Sequence, residues 1–175
     1  MIVFVNGPFG VGKTSVAKLL VQKIPDAVLY DPEVIGSILR RILGPFKKVD
    51  DYQDYALWGT LFVGGARLLR KASARTLVIP MTVWRRDLFD PIIAGLRRVD
   101  EDLSCFRLTA SKDVLMGRIS SDTEDREAFE WRTSHVEVCL KASHDPAFGE
   151  EIRTDDRTPV EVADRILKSL TTPTG

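Results

Sequence analysis

Near its start the chain reads Asn6-Gly7-Pro8-Phe9-Gly10-Val11-Gly12-Lys13-Thr14, and from Gly7 onward it fits the pattern GxxxxGK[ST] in full. Each part of that pattern has chemistry to do. Glycines let backbone N–H groups turn inward around phosphate oxygens. A helix starting at the end of the loop adds the positive end of its dipole. Lys13 is placed to reach the β- and γ-phosphates, and Thr14 to offer its hydroxyl to Mg²⁺. Gly7, Phe9, Gly10, Val11, Gly12, Lys13 and Thr14 are therefore the expected nucleotide-binding residues. Lys13 is also expected to be catalytic, and Thr14 to be the metal ligand.

Asp31 closes a second short apolar segment. A carboxylate there could take a proton from an acceptor hydroxyl or hold a Mg²⁺-bound water. Asp31-Pro32-Glu33 reads equally well as a helix N-cap followed by Pro at the first helical position. Asp31 is the expected catalytic carboxylate, and both Asp31 and Glu33 are expected to face the acceptor. The third apolar segment ends in Pro80-Met81-Thr82. Many nucleotide-hydrolysing proteins with this loop place an Asp there for Mg²⁺. Its absence disfavours a GTPase switch or a motor ATPase and suits a small kinase. Thr82 and Arg85 face the acceptor or belong to an ordinary polar loop.

The stretch from Asp51 to Trp58 mixes aromatic and hydrogen-bonding side chains. Gln53 and Trp58 there could line a site for a sugar or a base, or Trp58 could pack in the core. Arg118, Arg126 and Arg132 sit in and beside the charge-dense stretch from Asp122 to Glu130. One reading is a lid over about 118–135 that closes on the transferring phosphate, with Arg118 touching nucleotide and chemistry and Arg126 and Arg132 the acceptor. The other is a solvated helical hairpin. Thr158 and Pro159 lie in a late loop that either wraps the adenine or merely joins two elements. His135, His144, Cys105 and Cys139 are assigned no chemistry.

These residues need a scaffold, and the apolar pattern supplies one. Short strands are expected at Ile2–Val5, Ala27–Tyr30, Thr76–Ile79, Ser104–Thr109 and Glu151–Thr154. Helices are expected at Ser15–Ile24, Pro32–Leu43, Tyr55–Ser73, Leu88–Val99, Lys112–Ser121 with Ser111 as cap, Glu137–Ala142 and Val160–Leu170. Thr158-Pro159-Val160-Glu161 has the form of a capping box with Pro at the first helical position. Alternating strands and helices predict an α/β fold with a parallel sheet and helices on both faces, its ligands beyond the carboxyl ends of the strands.

No linker divides the 175 residues, so one domain over 1–175 is expected. Lys plus Arg and Asp plus Glu number 25 each, which argues against a nucleic-acid partner. No apolar run reaches the ~18 residues of a spanning helix, and no secretory signal opens the chain. The two cysteines form no CxxC pair. A cytoplasmic enzyme is expected.

The loop, the carboxylate after strand two, the arginine-bearing lid and the last-strand loop together resemble the nucleoside-monophosphate-kinase-like branch of P-loop proteins. Shikimate, gluconate and chloramphenicol kinases are similar in plan. A fuller resemblance, over most of the chain, is to the tunicamycin resistance protein family. It is carried by Asn6 to Thr14, Tyr30-Asp31-Pro32-Glu33, the Asp51-to-Trp58 segment, Ile79-Pro80-Met81-Thr82 and Thr109-Ala110-Ser111-Lys112. That resemblance implies a P-loop kinase-like three-layer fold with a five-stranded parallel sheet in the order 2-3-1-4-5 and a small lid. It also implies ATP with Mg²⁺, and a nucleoside antibiotic such as tunicamycin as small-molecule partner. Family members can extend beyond the last helix and associate with a membrane there. This chain stops at Gly175, so membrane attachment is not carried over. Three functions remain open: a kinase that phosphorylates a hydroxyl of the drug, an ATP-dependent protein that sequesters it without chemistry, and a housekeeping small-molecule, sugar or nucleoside kinase.

Overall fold

The computed structural model of the chain describes residues 1–73, 75–122 and 128–171. Five strands, β1 (Ile2–Asn6), β2 (Ala27–Leu29), β3 (Thr76–Met81), β4 (Leu103–Thr109) and β5 (Glu150–Arg153), form one sheet in the order 2-3-1-4-5. Every pairing is parallel. The helices are α1 (Lys13–Lys23), α2 (Glu33–Leu43), α3 (Trp58–Ser73), α4 (Arg86–Val99), α5 (Lys112–Ser121), α6 (Phe129–Ala142) and α7 (Pro159–Thr171), with short 3₁₀ turns at Tyr52–Asp54 and Pro146–Phe148.

Strand alternation sorts the core into two layers. Ile2 and Phe4 of β1 face one side, where Leu77 and Ile79 meet Trp58 and Phe62 of α3 and Phe89 and Leu96 of α4. Val3 and Val5 face the other, with Val16 and Leu20 of α1, Leu108 of β4, Leu115 of α5 and Ile166 of α7. All five residues of β1 are buried, as a central parallel strand requires. The expected three-layer fold and strand order are therefore present.

Several element ends differ from the sequence reading. β3 runs on through Pro80 and Met81, where the reading stopped it at Ile79. The carbonyl of Val78 accepts from the N–H of Tyr30, so Val78 and Pro80 share the side of β3 that faces β2. The β2 ladder ends at Leu29 opposite Val78, so Pro80 has no ladder donor to supply there. Ser111 occupies the N-cap of α5 without a side-chain capping bond. Its backbone N–H instead donates to Asp155 at 2.8 Å, and that bond leads the effects that hold the Asp155 carboxyl down at about 2. The capping box of α7 forms as expected: Thr158 N–H donates to the Glu161 carboxylate at 2.7 Å, and Glu161 N–H to the Thr158 hydroxyl at 3.3 Å. The largest difference is α6, which starts eight residues before the expected helix at Glu137. Among the described residues no helix is long and apolar enough to cross a membrane.

Candidate phosphate-binding and acceptor site

The phosphate loop leaves β1 at Asn6 and enters α1 at Lys13. Gly10 and Gly12 take φ of 75° and 98°, values that L side chains rarely adopt. At Gly10 a Cβ would also stand 2.9 Å from the Leu115 carbonyl. Gly12 is the N-cap of α1; no side chain caps that helix and no acid sits in its first turn. The leading amides of α1 are therefore left for an anion, as a phosphate cradle requires. Thr14 is exposed at that same end.

Lys13 folds back over its own loop. Its Nζ donates to the Pro8 carbonyl at 2.8 Å and lies 5.6 Å from the centroid of the Phe9 ring. Burial lowers this ammonium to about 8, with the Glu33 carboxylate the largest influence pulling it back up. A bound polyphosphate would restore the ammonium. Anion binding is thus expected to take up protons above about pH 8, and affinity to fall as pH rises beyond it. Calorimetric titration of ATP·Mg²⁺ in buffers of different ionisation enthalpy reads that uptake directly. Below that pH the uptake should vanish.

Asn6 has a role that the sequence reading did not single out. Its Oδ1 accepts from the N–H groups of both Gly7 and Val83 at 2.9 Å, and its Nδ2 donates to the Val83 carbonyl at 2.9 Å. One buried amide therefore fixes the start of the phosphate loop to the segment after β3. Asn6→Ala leaves those backbone groups without partners, and unmade buried hydrogen bonds cost ~1–3 kcal/mol each. Denaturant unfolding should show a loss of about 2–4 kcal/mol.

The acceptor-side residues gather unevenly. Asp31 is exposed beyond β2, and its Oδ1 accepts from Glu33 N–H at 2.9 Å; α2 starts at Glu33 with Pro32 at its N-cap, one residue later than the expected cap at Asp31. Glu33, Arg132 and Cys139 all act electrostatically on Lys13, which places the start of α2 and the inner face of α6 around it. Gln53 is buried and uses its amide to donate to the Thr82 carbonyl at 3.0 Å. Thr82 is buried too, and its hydroxyl has no hydrogen-bond partner among the described residues.

Arg85 lies in ion pairs with Asp54 and Asp87, at a groove of about 620 Å³ between α3 and α4 that Gln53 also lines. Trp58 is a correction. It is fully buried, packed between Tyr52 and Phe62, and presents no surface to a ligand. An indole at the first residue of α3 lands in the core because α3 lies directly on β1 and β3.

Arg118 of α5 is held against the loop. Its guanidinium donates to the Thr154 hydroxyl and carbonyl at 3.0 and 2.8 Å, and to the Val11 carbonyl at 3.5 Å. It thus ties the phosphate loop to the segment between β5 and α7, which carries Thr158 and leads into Pro159 at the first position of α7. Arg132 pairs with Asp122 at 2.9 Å, joining the start of α6 to the end of α5. Arg126 lies outside the described residues.

Four residues at this site carry no motif: Trp84, Trp131, His135 and Cys139. The last three recur every fourth residue, so they share one face of α6. Burial pushes the Cys139 thiol up to about 12, so it stays protonated. Asp51 is buried and raised by that burial, and His135 lies close enough to influence it. Among the described residues no group of three or more His, Cys, Asp or Glu could hold a metal ion by itself. Mg²⁺ carried in on phosphates needs little from the protein beyond Thr14, and the uncapped helix end with its exposed threonine fits that use.

Known structures share this fold. The tunicamycin resistance protein of Deinococcus radiodurans aligns at 23% identity with a TM-score of 0.79, over 98% of this chain and 96% of that one. A gluconokinase from Sinorhizobium meliloti 1021 aligns at 19% identity and a TM-score of 0.65, over 97% and 90%. The Mycobacterium tuberculosis APS kinase CysC, solved with AMPPNP and APS, aligns at 19% identity and 0.61, over 98% and 97%. No curated protein sequence is a significant match. The fold implied by the resemblance to the tunicamycin resistance proteins is thus met in a solved structure of that name. The sequence matches the AAA domain family over residues 2–145, and the chain belongs to that family.

Proposed function

We propose that the chain is a small-molecule kinase that binds ATP·Mg²⁺ at the loop from Gly7 to Thr14 and transfers its γ-phosphoryl group to a hydroxyl of the acceptor. The carrying observation is the uncapped N-terminus of α1 beside a half-buried lysine whose present partner is a carbonyl of its own loop. The loop amides would hold the β-phosphate, and Lys13 would leave Pro8 for the γ-phosphate. Thr14 would hold Mg²⁺, which when bound neutralises charge on the phosphates. Asp31, with Glu33 beside it, would accept the proton of the attacking hydroxyl.

Arg118 would fix the nucleotide against the segment that carries Thr158 and Pro159, and Arg132 would face the acceptor from α6. Residues 118–135 would then form the lid, its described parts 118–122 and 128–135 tied by the Arg132–Asp122 pair, while 123–127 lie outside the described residues. Gln53, Thr82 and Arg85 would shape the acceptor side from behind, Gln53 through its bond to Thr82.

The finer reading follows the neighbour named for tunicamycin resistance: the acceptor is a nucleoside antibiotic of the tunicamycin kind, handled in the cytoplasm. Supporting the kinase class are the neighbours named as a gluconokinase and an APS kinase, which align over nearly the whole chain at TM-scores of 0.65 and 0.61. A coupled assay of ADP release tests the class. ADP formation that rises with tunicamycin concentration supports it. ATP hydrolysis indifferent to acceptor, or none beside a tightly bound drug, would remove it.

A further inference from the structure

Four rings gather beside the phosphate loop. Phe9 comes from the loop itself, Trp84 from the segment after β3, and Trp131 and His135 from one face of α6. The Phe9 ring meets Trp131 edge-on at 5.2 Å and Trp84 at 6.3 Å. The two indoles are 6.2 Å apart, and His135 stacks on Trp131 at 4.3 Å. Clusters of this size commonly fill a core. Here neither Trp84 nor Trp131 belongs to either core layer, and all four rings keep part of their surface in solvent. The wall borders the site because the Lys13 ammonium lies over Phe9.

One polar atom in the wall is unaccounted for. The indole N–H of Trp131 is enclosed and has no hydrogen-bond acceptor among the described residues. Buried donors left in this way are uncommon and mark an absent partner or a second arrangement. His135 offers little to a polar ligand through Nδ1, which already lies 2.7 Å from the Trp131 carbonyl and 3.0 Å from the Ser134 hydroxyl.

We propose that Phe9, Trp84, Trp131 and His135 form the seat for a flat conjugated ring of the acceptor, with the Trp131 N–H donating to a carbonyl on that ring's edge. These residues then decide specificity, and the hydroxyl-bearing part of the acceptor points toward Lys13 and the start of α2. The proposal rests on the kinase reading of the same site. A polyol needs many donors and acceptors, and this wall supplies π-faces and, at Trp131, an enclosed N–H without an acceptor among the described residues. A flat ring with a carbonyl needs the reverse. Because that N–H is now enclosed, seating a ligand requires the groups around Trp131 to part.

Quenching of tryptophan fluorescence by uridine, measured alongside ATP·Mg²⁺ affinity in the same protein, tests the seat. Trp58 is sealed in the core, so quenching reports Trp84 and Trp131. Uridine should quench and bind, and ribose and gluconate should not compete. Trp131→Leu should weaken uridine binding on the order of 5- to 100-fold, the range seen for loss of a base–aromatic stack, with ATP·Mg²⁺ affinity within about twofold as evidence that the loop still folds. Trp131→Phe keeps a ring but no N–H and should fall between. Competition by ribose equal to uridine's own binding, or no uridine binding by a protein that binds ATP·Mg²⁺, would overturn the seat. So would loss of ATP·Mg²⁺ affinity in Trp131→Leu equal to its loss of uridine affinity. Uridine quenching in a protein that never transfers phosphate would instead remove the kinase reading and leave the seat standing.

Discussion

Lys13→Ala is expected to abolish acceptor-dependent turnover, a fall of roughly 10²–10³-fold or more, and to remove most ATP·Mg²⁺ affinity. The variant deletes the loop's only side-chain cation, and among the described residues no neighbouring arginine is free to substitute. Arg118 is held by Thr154 and Arg132 is paired with Asp122. Stability should move the other way. An ammonium lowered to about 8 by burial is destabilising while charged. Between about pH 8 and the ordinary lysine value of 10.5 the unfolded chain binds more protons, so the ligand-free protein should gain stability as pH rises through that window. Below pH 8 the penalty is constant and fully present. Lys13→Ala removes both the penalty and the slope, and Lys13→Met does the same while keeping the stem. Thermal unfolding across pH 7 to 10.5 checks the slope. A variant less stable at neutral pH and still able to bind ATP·Mg²⁺ would show the lysine to be a packing residue.

Asp31→Asn is expected to lower the transfer rate by roughly 10²–10⁴-fold while ATP·Mg²⁺ affinity persists. The local geometry separates chemistry from structure. Asp31 Oδ1 accepts one hydrogen bond, from Glu33 N–H, and an asparagine oxygen accepts it equally well. Unfolding free energy should therefore change by under ~1 kcal/mol. Single-turnover rates and denaturant curves on the same variant give the comparison. A variant of full rate and reduced stability would reduce Asp31 to its turn. Glu33→Gln is the needed companion, because Glu33 is the carboxylate that acts on Lys13.

What the sequence made legible follows from how local each signal is. The phosphate loop is written in consecutive residues, and its glycines require the backbone angles they adopt. β1 is apolar from Ile2 to Val5 because both its faces are covered, and that run is visible without a structure. Trp58 was ambiguous because an aromatic near a helix start reads alike in a core or a binding wall. Only the packing of α3 on the sheet settles it. Asn6 could not be weighted, since its partner Val83 lies 77 residues away.

The aromatic wall was lost for a different reason. Glu130 to Glu137 contains Thr133, Ser134 and His135, residues of middling helix propensity, beside a dense run of charge. From sequence the helix begins at Glu137, and a helix starting there does not show that Trp131, His135 and Cys139 share a face. With α6 beginning at Phe129 that four-residue spacing becomes a stripe. Trp84 had no local signal, since it meets α6 only through the tertiary fold.

The central claim is that this loop delivers a phosphoryl group to a small-molecule hydroxyl. The most direct measurement is the mass of tunicamycin after incubation with the protein and ATP·Mg²⁺, with Lys13→Ala run in parallel. The account predicts a drug heavier by one phosphoryl group in the first sample and an unchanged drug in the second. A drug that is bound yet unchanged in mass in both samples would contradict it.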